Sequence, residues 1–253
     1  MTDFERRKAV AIQLRPVAKD DSFLEAGFLL DYAKLHPDAD LSRLIARRCA
    51  EEPLQYVLGE WEFMGMPFYT DARALIPRPD TEILCEQALK TLPEGGTVLD
   101  LCCGSGCIGI VLAKKKRAVV TAADISPDAL SLTAENAARN GVTVRTVHSD
   151  LFESVNGTFD LIVSNPPYLD VDEMHSMDAS LRYEPAIALD GGADGLDFYR
   201  RIRAGYDAHL NPGGMLLLEI GCRQERAVTT LFDDAVCIYD YGNRPRCVAV
   251  RKK

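Results

Sequence analysis

From about residue 81 onwards, apolar strand-like runs alternate with helix-like segments, and this alternation restricts the possible folds more than any other feature of the sequence. The runs TVLDLCCG (97–104) and AVVTAADIS (118–126) each precede a helical pattern, and Thr81 is predicted to cap the helix TEILCEQALKTL. Apolar strands separated by helices typically form a parallel sheet that is covered on both faces. We therefore predict an α/β fold.

The C-terminal part continues this pattern. Strand TVRTVHSD (143–150) leads to strand FDLIVSNPP (159–167) without a long helix between them, and helix LDFYRRIRAGYDAHL (196–210) precedes strand MLLLEIG (215–221). Helix CRQERAVTTLF (222–232) then leads to two final strands. Because no long helix separates these two strands, they are expected to form an antiparallel hairpin at one edge of the mostly parallel sheet.

The N-terminal part has a different pattern. Residues 1–58 are predicted to be helical, with a break at His36-Pro37, because apolar residues recur close to every 3.6 positions. One such series is Phe23, Ala26, Leu29, Leu30 and Ala33. Residues 60–76 alternate around Gly65, which predicts a short β-hairpin. The predicted parts are a helical domain (1–58), a β-hairpin connector (59–80) and the α/β domain (81–253).

Composition narrows the class of protein. The 253 residues carry a net charge of −9, which argues against bare nucleic acid as the main partner. No apolar run is long enough to span a membrane, and the N-terminus lacks the pattern of a secretory signal. The eight cysteines show no zinc-ligand spacing, so they are expected to be reduced, with no metal bound. We expect a cytoplasmic protein without a membrane partner.

The first strand of the α/β domain ends in a glycine turn that reads Asp100-Leu101-Cys102-Cys103-Gly104-Ser105-Gly106. Glycines allow a tight turn and the close approach of a ligand to the backbone. Asp124 ends the second strand, where a carboxylate can accept hydrogen bonds from both hydroxyls of a ribose. Proteins that bind NAD share this combination, so it does not identify the ligand.

Three details favour S-adenosylmethionine over a dinucleotide. Asp100 precedes the glycines, where a carboxylate could meet a cationic or amino-bearing ligand. Cys102 stands where a first glycine of GxGxxG would be, which makes the turn less suited to a pyrophosphate. Asp150 ends the third strand and could accept from an adenine amino group. The alternative for each acid is a helix cap or a surface charge.

The fourth strand ends in Ser164-Asn165-Pro166-Pro167-Tyr168. A proline has no backbone N–H, so the strand stops here. The Asn165 side-chain oxygen and the Pro166 carbonyl could accept from the two N–H bonds of a planar amide or aromatic amine and hold it in line with a sulfonium methyl group. Tyr168 offers a flat apolar face to the same group. The alternative is a strand stop with a packed tyrosine.

These motifs resemble those of the glutamine N5-methyltransferases that modify peptide-chain release factors. The resemblance covers roughly residues 50–250, and its more discriminating stretches are LIPRPDTE (75–82) and YEPAIALDGGADGLDFYR (183–200). It implies a class I S-adenosylmethionine-dependent methyltransferase domain, Rossmann-like with a seven-stranded sheet. It also implies a helical N-terminal domain that holds the release factor, whose Gly-Gly-Gln glutamine would receive the methyl group.

The resemblance also assigns roles to individual residues. We expect the protein to be a monomer. The donor-binding residues would be Asp100, Cys102, Cys103, Gly104, Ser105, Gly106, Asp124, Asp150, Leu151 and Asn165. The residues that hold the glutamine amide would be Asn165, Pro166, Pro167 and Tyr168, with Arg78 and Glu82 shaping the pocket wall or forming a structural salt bridge. Two departures stand out, since the family usually has Gly-Thr in place of Cys102-Cys103 and some members have an aromatic residue in place of Leu151.

Alternative functions remain open from the sequence. A sister family with the same NPPY motif methylates a glutamine of a ribosomal protein, and adenine-N6 methyltransferases of nucleic acids share the motif as well. The net charge of −9 disfavours the nucleic-acid reading. A non-enzymatic scaffold that binds the donor or a translation factor is disfavoured because it would not need the paired amide acceptors.

Overall fold

The computed structural model describes residues 2–253 and begins with four helices. These are α1 (Asp3–Ala18), α2 (Ser22–Leu35), α3 (Leu41–Cys49) and α4 (Leu54–Leu58). Thr2 and Asp40 cap α1 and α3 through their side chains. Leu14 and Leu29 are fully buried at the centre of the apolar cluster that the four helices share. This part of the chain therefore has its own hydrophobic core.

A β-hairpin follows, formed by β1 (Glu60–Phe63) and β2 (Met66–Tyr69). Its two-residue turn, Met64-Gly65, has positive φ at both residues, as a tight hairpin of this twist requires. Phe63 and Phe68 are buried in the apolar cluster on one face of the main sheet. The hairpin therefore packs on the C-terminal domain as well as connecting the two parts.

The main sheet has seven strands in the order β5-β4-β3-β6-β7-β9-β8. They are β3 (Thr97–Leu101), β4 (Val119–Asp124), β5 (Val144–His148), β6 (Phe159–Ser164), β7 (Leu210–Glu219), β8 (Val236–Tyr239) and β9 (Pro245–Arg251). Strands β3 to β7 are parallel, and β9 pairs antiparallel with both β7 and β8. The predicted α/β fold with an antiparallel edge hairpin is confirmed.

Helices cover both faces of this sheet. They are α5 (Pro79–Thr91), α6 (Cys107–Lys116), α7 (Pro127–Arg139), α8 (Val171–His175), α9 (Asp197–Gly205) and α10 (Glu225–Thr229). One buried cluster contains Leu84 and Ile110, and the other contains Tyr199 and Val228. Between β5 and β6 the chain forms turns and no helix over residues 149–158, as predicted.

Several predicted boundaries were wrong. Helix α5 begins at Pro79, so Thr81 lies inside its first turn and is not the cap, because proline is well suited to the first helical position. The helix expected over 196–210 ends at Gly205 and continues as a 3₁₀ turn, and strand β7 already begins at Leu210. The helix expected over 222–232 is reduced to Glu225–Thr229.

The chain order places a crevice at the carboxyl ends of β3 and β6. After β5 the chain crosses back over β4 and β3, so β6 lies on the opposite side of β3 from β4. Loops diverge at such a reversal, and open α/β sheets bind ligands there. None of the helices described between residues 2 and 253 combines the length and the apolar character that crossing a membrane requires.

Candidate functional site

A cavity of about 190 Å³ lies at these carboxyl ends. Its wall includes the glycine turn after β3, the end of β4, and Asn165 and Pro167 after β6. The loop that joins the hairpin to α5, residues 73–78, forms another side together with Ile187. The structure thus brings segments that are far apart in the sequence to one concave surface.

The glycine turn has the shape that its residues predict. Gly104 and Gly106 have positive φ, and the N–H of Gly106 donates to the Cys103 carbonyl over 2.8 Å. A Cβ on Gly106 would lie 2.7 Å from Cγ2 of Thr133, so this position excludes a side chain. Cys102 also has a positive φ, 58°, a conformation that favours glycine, and glycine is the usual residue here in the family that the sequence resembles. Cys102, Cys103 and Ser105 all line the cavity.

Asp124 connects this turn to the end of β4. Its Oδ2 accepts from the Gly104 N–H over 2.9 Å, and its Oδ1 accepts from the Ser126 N–H over 2.9 Å. Burial raises the pKa of Asp124, and these backbone donors oppose the shift. Because a carboxylate has about four acceptor positions, Asp124 can still bind hydroxyl groups from the cavity side.

Asp100 lies behind the turn and does not line the cavity. Its side chain is fully buried, and Oδ2 accepts from the Gly109 N–H over 2.8 Å. Oδ1 has no hydrogen-bond partner among residues 2–253. Burial raises the pKa of Asp100 to about 8. Asp100 therefore does not face the cavity, where the predicted contact with a ligand would be made.

Asp150 and Leu151 form the end of the cavity near β5. The Asp150 carboxylate pairs with the Arg201 guanidinium of α9 over 2.7 Å, a contact that the sequence reasoning missed. Leu151 is buried with a φ of 50°, so it presents its side chain from a strained turn. The Asp150 carboxylate on the cavity wall is therefore already paired with an arginine that lines the same wall.

Asn165 lies at the opening between β6 and α5. Its Nδ2 donates to the Thr81 hydroxyl over 3.2 Å, which leaves Oδ1 on the other side of the amide. Neither this Oδ1 nor the Pro166 carbonyl accepts a hydrogen bond from any residue in the described range 2–253. The Ser164 hydroxyl donates to the Leu101 carbonyl over 2.7 Å and fixes the strand end that carries Asn165. Among residues 2–253, Oδ1 of Asn165 therefore remains a free acceptor on a residue of the cavity wall, and the carbonyl of the next residue, Pro166, is also unused.

Pro167 lines the cavity, whereas Pro166 and Tyr168 do not form its wall. The Tyr168 backbone is enclosed by the segment that follows α8. A Cβ on Gly191 would lie 2.7 Å from the Tyr168 Cα, and one on Gly195 would lie 2.4 Å from the Tyr168 carbonyl oxygen. Gln224 donates to that carbonyl over 2.9 Å. These contacts hold the NPPY backbone, and the repeated glycines of DGGADG are the signal that could have revealed them.

Arg78 and Glu82 have different roles from each other. Arg78 lines the cavity and forms an ion pair with Glu184, whose side chain is buried and also accepts from the Ile76 N–H over 2.9 Å. Glu82 does not line the cavity. Its carboxylate accepts from the Met64 N–H over 2.7 Å and holds the hairpin turn against α5. Both are structural contacts, and Arg78 shapes the wall in addition.

Comparison with known proteins places the chain among methyltransferases. The family model "Methyltransferase small domain" matches residues 79–181. A release factor glutamine methyltransferase of Geobacter sulfurreducens is 46% identical over 192 residues, which cover 75% of this chain and 68% of that protein. One of Cereibacter sphaeroides is 45% identical over 216 residues, with 82% and 77% covered.

Two solved structures share the fold at lower identity. A methyltransferase from Pyrococcus furiosus superposes with a TM-score of 0.57 at 20% identity, covering 75% of this chain and 90% of that one. A 16S rRNA N2 G1207 methyltransferase from T. thermophilus, solved with AdoMet and guanosine, gives a TM-score of 0.56 at 19% identity over 77% of this chain and 50% of that one. The α/β domain therefore has the class I methyltransferase fold.

Proposed function

The chain belongs to the release factor glutamine methyltransferase family, and from this premise we propose that it methylates N5 of the glutamine in the Gly-Gly-Gln motif of peptide chain release factors. The methyl donor in this proposal is S-adenosylmethionine. One observation carries the proposal, namely the two unused acceptors, Oδ1 of Asn165 and the Pro166 carbonyl. A side-chain carboxamide has two N–H donors on one nitrogen, which matches two adjacent acceptors.

The cavity residues fit an adenosyl donor with a cationic sulfur. Asp124 and Asp150, both on the wall, provide carboxylates, and Leu151, Ile125 and Ala129 provide apolar surface. A Cβ on Gly104 would meet only Ala74, 3.8 Å away on the facing wall, so the absence of a side chain leaves the backbone open to the cavity. In this proposal Asp124 binds the ribose hydroxyls, and Cys102 to Gly106 lie against the amino-acid part.

When bound, the donor supplies an electrophilic methyl group on a positively charged sulfur. An amide nitrogen is a weak nucleophile because its lone pair is delocalised, so orientation contributes much of the catalysis. Asn165 and Pro166 accept from the two N–H bonds and stabilise the positive charge that develops on nitrogen as the new N–C bond forms and the C–S bond breaks. The C–S electron pair stays on the sulfur of the product, S-adenosylhomocysteine, and the nitrogen releases one proton to solvent. No metal ion is required for this transfer.

The four N-terminal helices are proposed to hold the release factor. They expose several large apolar side chains, including Ile12 and Leu24, which are 64% and 53% exposed. The Tyr183 hydroxyl donates to the Ala50 carbonyl over 2.6 Å and so connects these helices with the segment beside the cavity. We further propose that the protein acts as a monomer in the cytoplasm.

The proposal is tested by comparing three substrates with labelled S-adenosylmethionine. A purified release factor, a ribosomal protein fraction and an oligonucleotide are incubated separately with the protein. Label is expected on the release factor and is expected to disappear when the Gly-Gly-Gln glutamine is replaced by alanine. Label on the ribosomal fraction or the oligonucleotide, with none on the release factor, would overturn the proposal.

A further inference from the structure

Helix α7 holds the turn after β3 from outside the cavity. Thr133 and Asn136 lie one helical turn apart on this helix, and both side chains are fully buried. Neither of these two residues lines the cavity, whereas Gly104 and Ser105 of the turn do. The two polar side chains are therefore placed to orient the turn without touching a ligand themselves.

Their hydrogen bonds go to two consecutive carbonyls of the turn. The Thr133 hydroxyl donates to the Gly104 carbonyl over 2.9 Å. Nδ2 of Asn136 donates to the Ser105 carbonyl over 3.1 Å. The Asn136 amide is itself fixed, because its Oδ1 accepts from the Tyr69 N–H over 2.7 Å and its Nδ2 also donates to the Tyr69 carbonyl over 3.3 Å. Both carbonyls of the turn are thus directed toward α7.

The peptide between Gly104 and Ser105 leaves one backbone donor unused. No cis peptide bond occurs between residues 2 and 253, and in a trans peptide the C=O and the N–H point in opposite directions. Because the Gly104 carbonyl points to Thr133, the Ser105 N–H points away from α7. This N–H donates to no acceptor within the described chain, residues 2–253, although Ser105 is only 4% exposed. A buried, unpaired N–H on a cavity wall is a group that a ligand can satisfy.

The orientation of this peptide depends on its hydrogen bonds, because a glycine precedes it. Gly104 has a φ of 55°, and a residue without a side chain changes its backbone conformation at small steric cost. Without the Thr133 donor, a rotation of the peptide by half a turn would direct the Gly104 carbonyl away from α7 in place of the Ser105 N–H. Backbone N–H groups attract an anion, whereas a carbonyl oxygen repels it. The hydroxyl of Thr133 therefore decides whether the turn attracts a negatively charged group.

We propose that Thr133 is a positioning residue that keeps the Ser105 N–H directed at the carboxylate of the donor's amino-acid part, while Asn136 fixes the next peptide. The inference rests on the proposed function, which places this turn against that part of S-adenosylmethionine. The carboxylate is the only anionic group of this donor. The effect of Thr133 is therefore expected only with ligands that carry the carboxylate.

The test compares two ligands that differ in this part. S-adenosylhomocysteine carries the amino acid, whereas 5′-methylthioadenosine has a methyl group in its place, and isothermal titration calorimetry gives the Kd of each. Thr133→Val keeps the shape of the side chain and removes the donor. We expect it to weaken S-adenosylhomocysteine binding at least tenfold, while the Kd for 5′-methylthioadenosine stays within threefold of wild type. Thr133→Ser keeps the donor and is expected to bind both ligands within threefold of wild type.

Thr70→Val is the matched control. Thr70 is 2% exposed, does not line the cavity, and donates from its hydroxyl to the Gln55 carbonyl over 2.8 Å. This variant loses a comparable buried hydrogen bond, and its Kd for both ligands is expected to stay within threefold of wild type.

An unchanged affinity of Thr133→Val for S-adenosylhomocysteine, or an equal loss of affinity for both ligands, would overturn the inference. If that variant does not fold, Thr133→Ala removes the same donor, and the same two results decide. A wild-type protein that binds neither ligand would contradict the proposed function as well as the inference, so the two failures are distinguishable.

Discussion

The backbone N–H of Gly104 donates to the Asp124 carboxylate over 2.9 Å, which joins the turn after β3 to the end of β4. This contact couples the two parts of the cavity that the donor is proposed to occupy. An acid at this position therefore has a structural role in addition to its proposed role in binding ribose. Substitutions at Asp124 should be compared with substitutions that disturb the turn without removing the acid.

Asp124→Ala is expected to weaken S-adenosylmethionine binding at least tenfold, because hydrogen bonds to a charged group contribute about 1.5–3 kcal/mol. Isothermal titration calorimetry measures this directly. Asp128→Ala is the control, since Asp128 lies only four residues further along, in the first turn of α7. Equal affinity of the Asp124→Ala and wild-type proteins would exclude the ribose contact.

Gly106→Ala is expected to destabilise the protein by more than the backbone strain of an alanine at positive φ would on its own. The new Cβ would lie 2.7 Å from Thr133, and overpacking typically costs about 1–3 kcal/mol. Gly213→Ala is the matched control, because Gly213 has a similar φ, 77° against 76°, with nothing within 4 Å of the added Cβ. Urea denaturation should give the larger loss for Gly106→Ala, and equal losses would exclude the proposed clash.

The buried Asp100 side chain is expected to make the stability of the protein depend on pH. Its pKa rises from 3.8 to about 8 on folding, so between these values the folded protein binds a proton that the unfolded chain has lost. The free energy of unfolding therefore falls as pH rises through this window. Asp100→Asn removes the titrating group, and its denaturation midpoints should fall less steeply between pH 4 and 8 than those of wild type. Parallel profiles for the two proteins would contradict the shift.

Glu184→Ala is expected to destabilise the protein by about 1–3 kcal/mol, because it leaves the Ile76 N–H unsatisfied and removes the partner of Arg78. Among the residues from 2 onwards, the Glu86 carboxylate accepts only from the exposed Tyr241 hydroxyl, so Glu86→Ala should change stability by less than about 0.5 kcal/mol. Chemical denaturation of both variants gives the comparison. A loss for Glu184→Ala as small as that for Glu86→Ala would refute the structural role of the ion pair.

The sequence predicts the parallel sheet well, because strands such as Phe159–Ser164 are apolar and end in residues that cannot continue a strand. It also identifies the glycine turn, Asp124 and Asn165, whose local patterns have a direct physical meaning. These residues follow strands, and the carboxyl ends of parallel strands meet at one edge.

Contacts between distant segments could not be derived in this way. The pairing of Arg201 with Asp150 depends on how α9 packs across the cavity, and no short-range pattern encodes it. The position of Thr81 was predicted wrongly because Pro79 starts the helix two residues earlier. That shift turns a presumed cap into the hydrogen-bond partner of Asn165, a role that only the tertiary structure reveals.

The central claim is that Asn165 orients the glutamine amide, and single-turnover methylation by Asn165→Ala tests it most directly. The variant and wild type are saturated with S-adenosylmethionine and mixed, in excess, with a limiting amount of release factor, and the methylated Gly-Gly-Gln peptide is quantified by mass spectrometry. We expect the rate to fall at least a hundredfold while the Kd for the donor stays within threefold, since the lost Asn165 acceptor acts mainly in the transition state. An unchanged rate of methylation in Asn165→Ala would contradict the account.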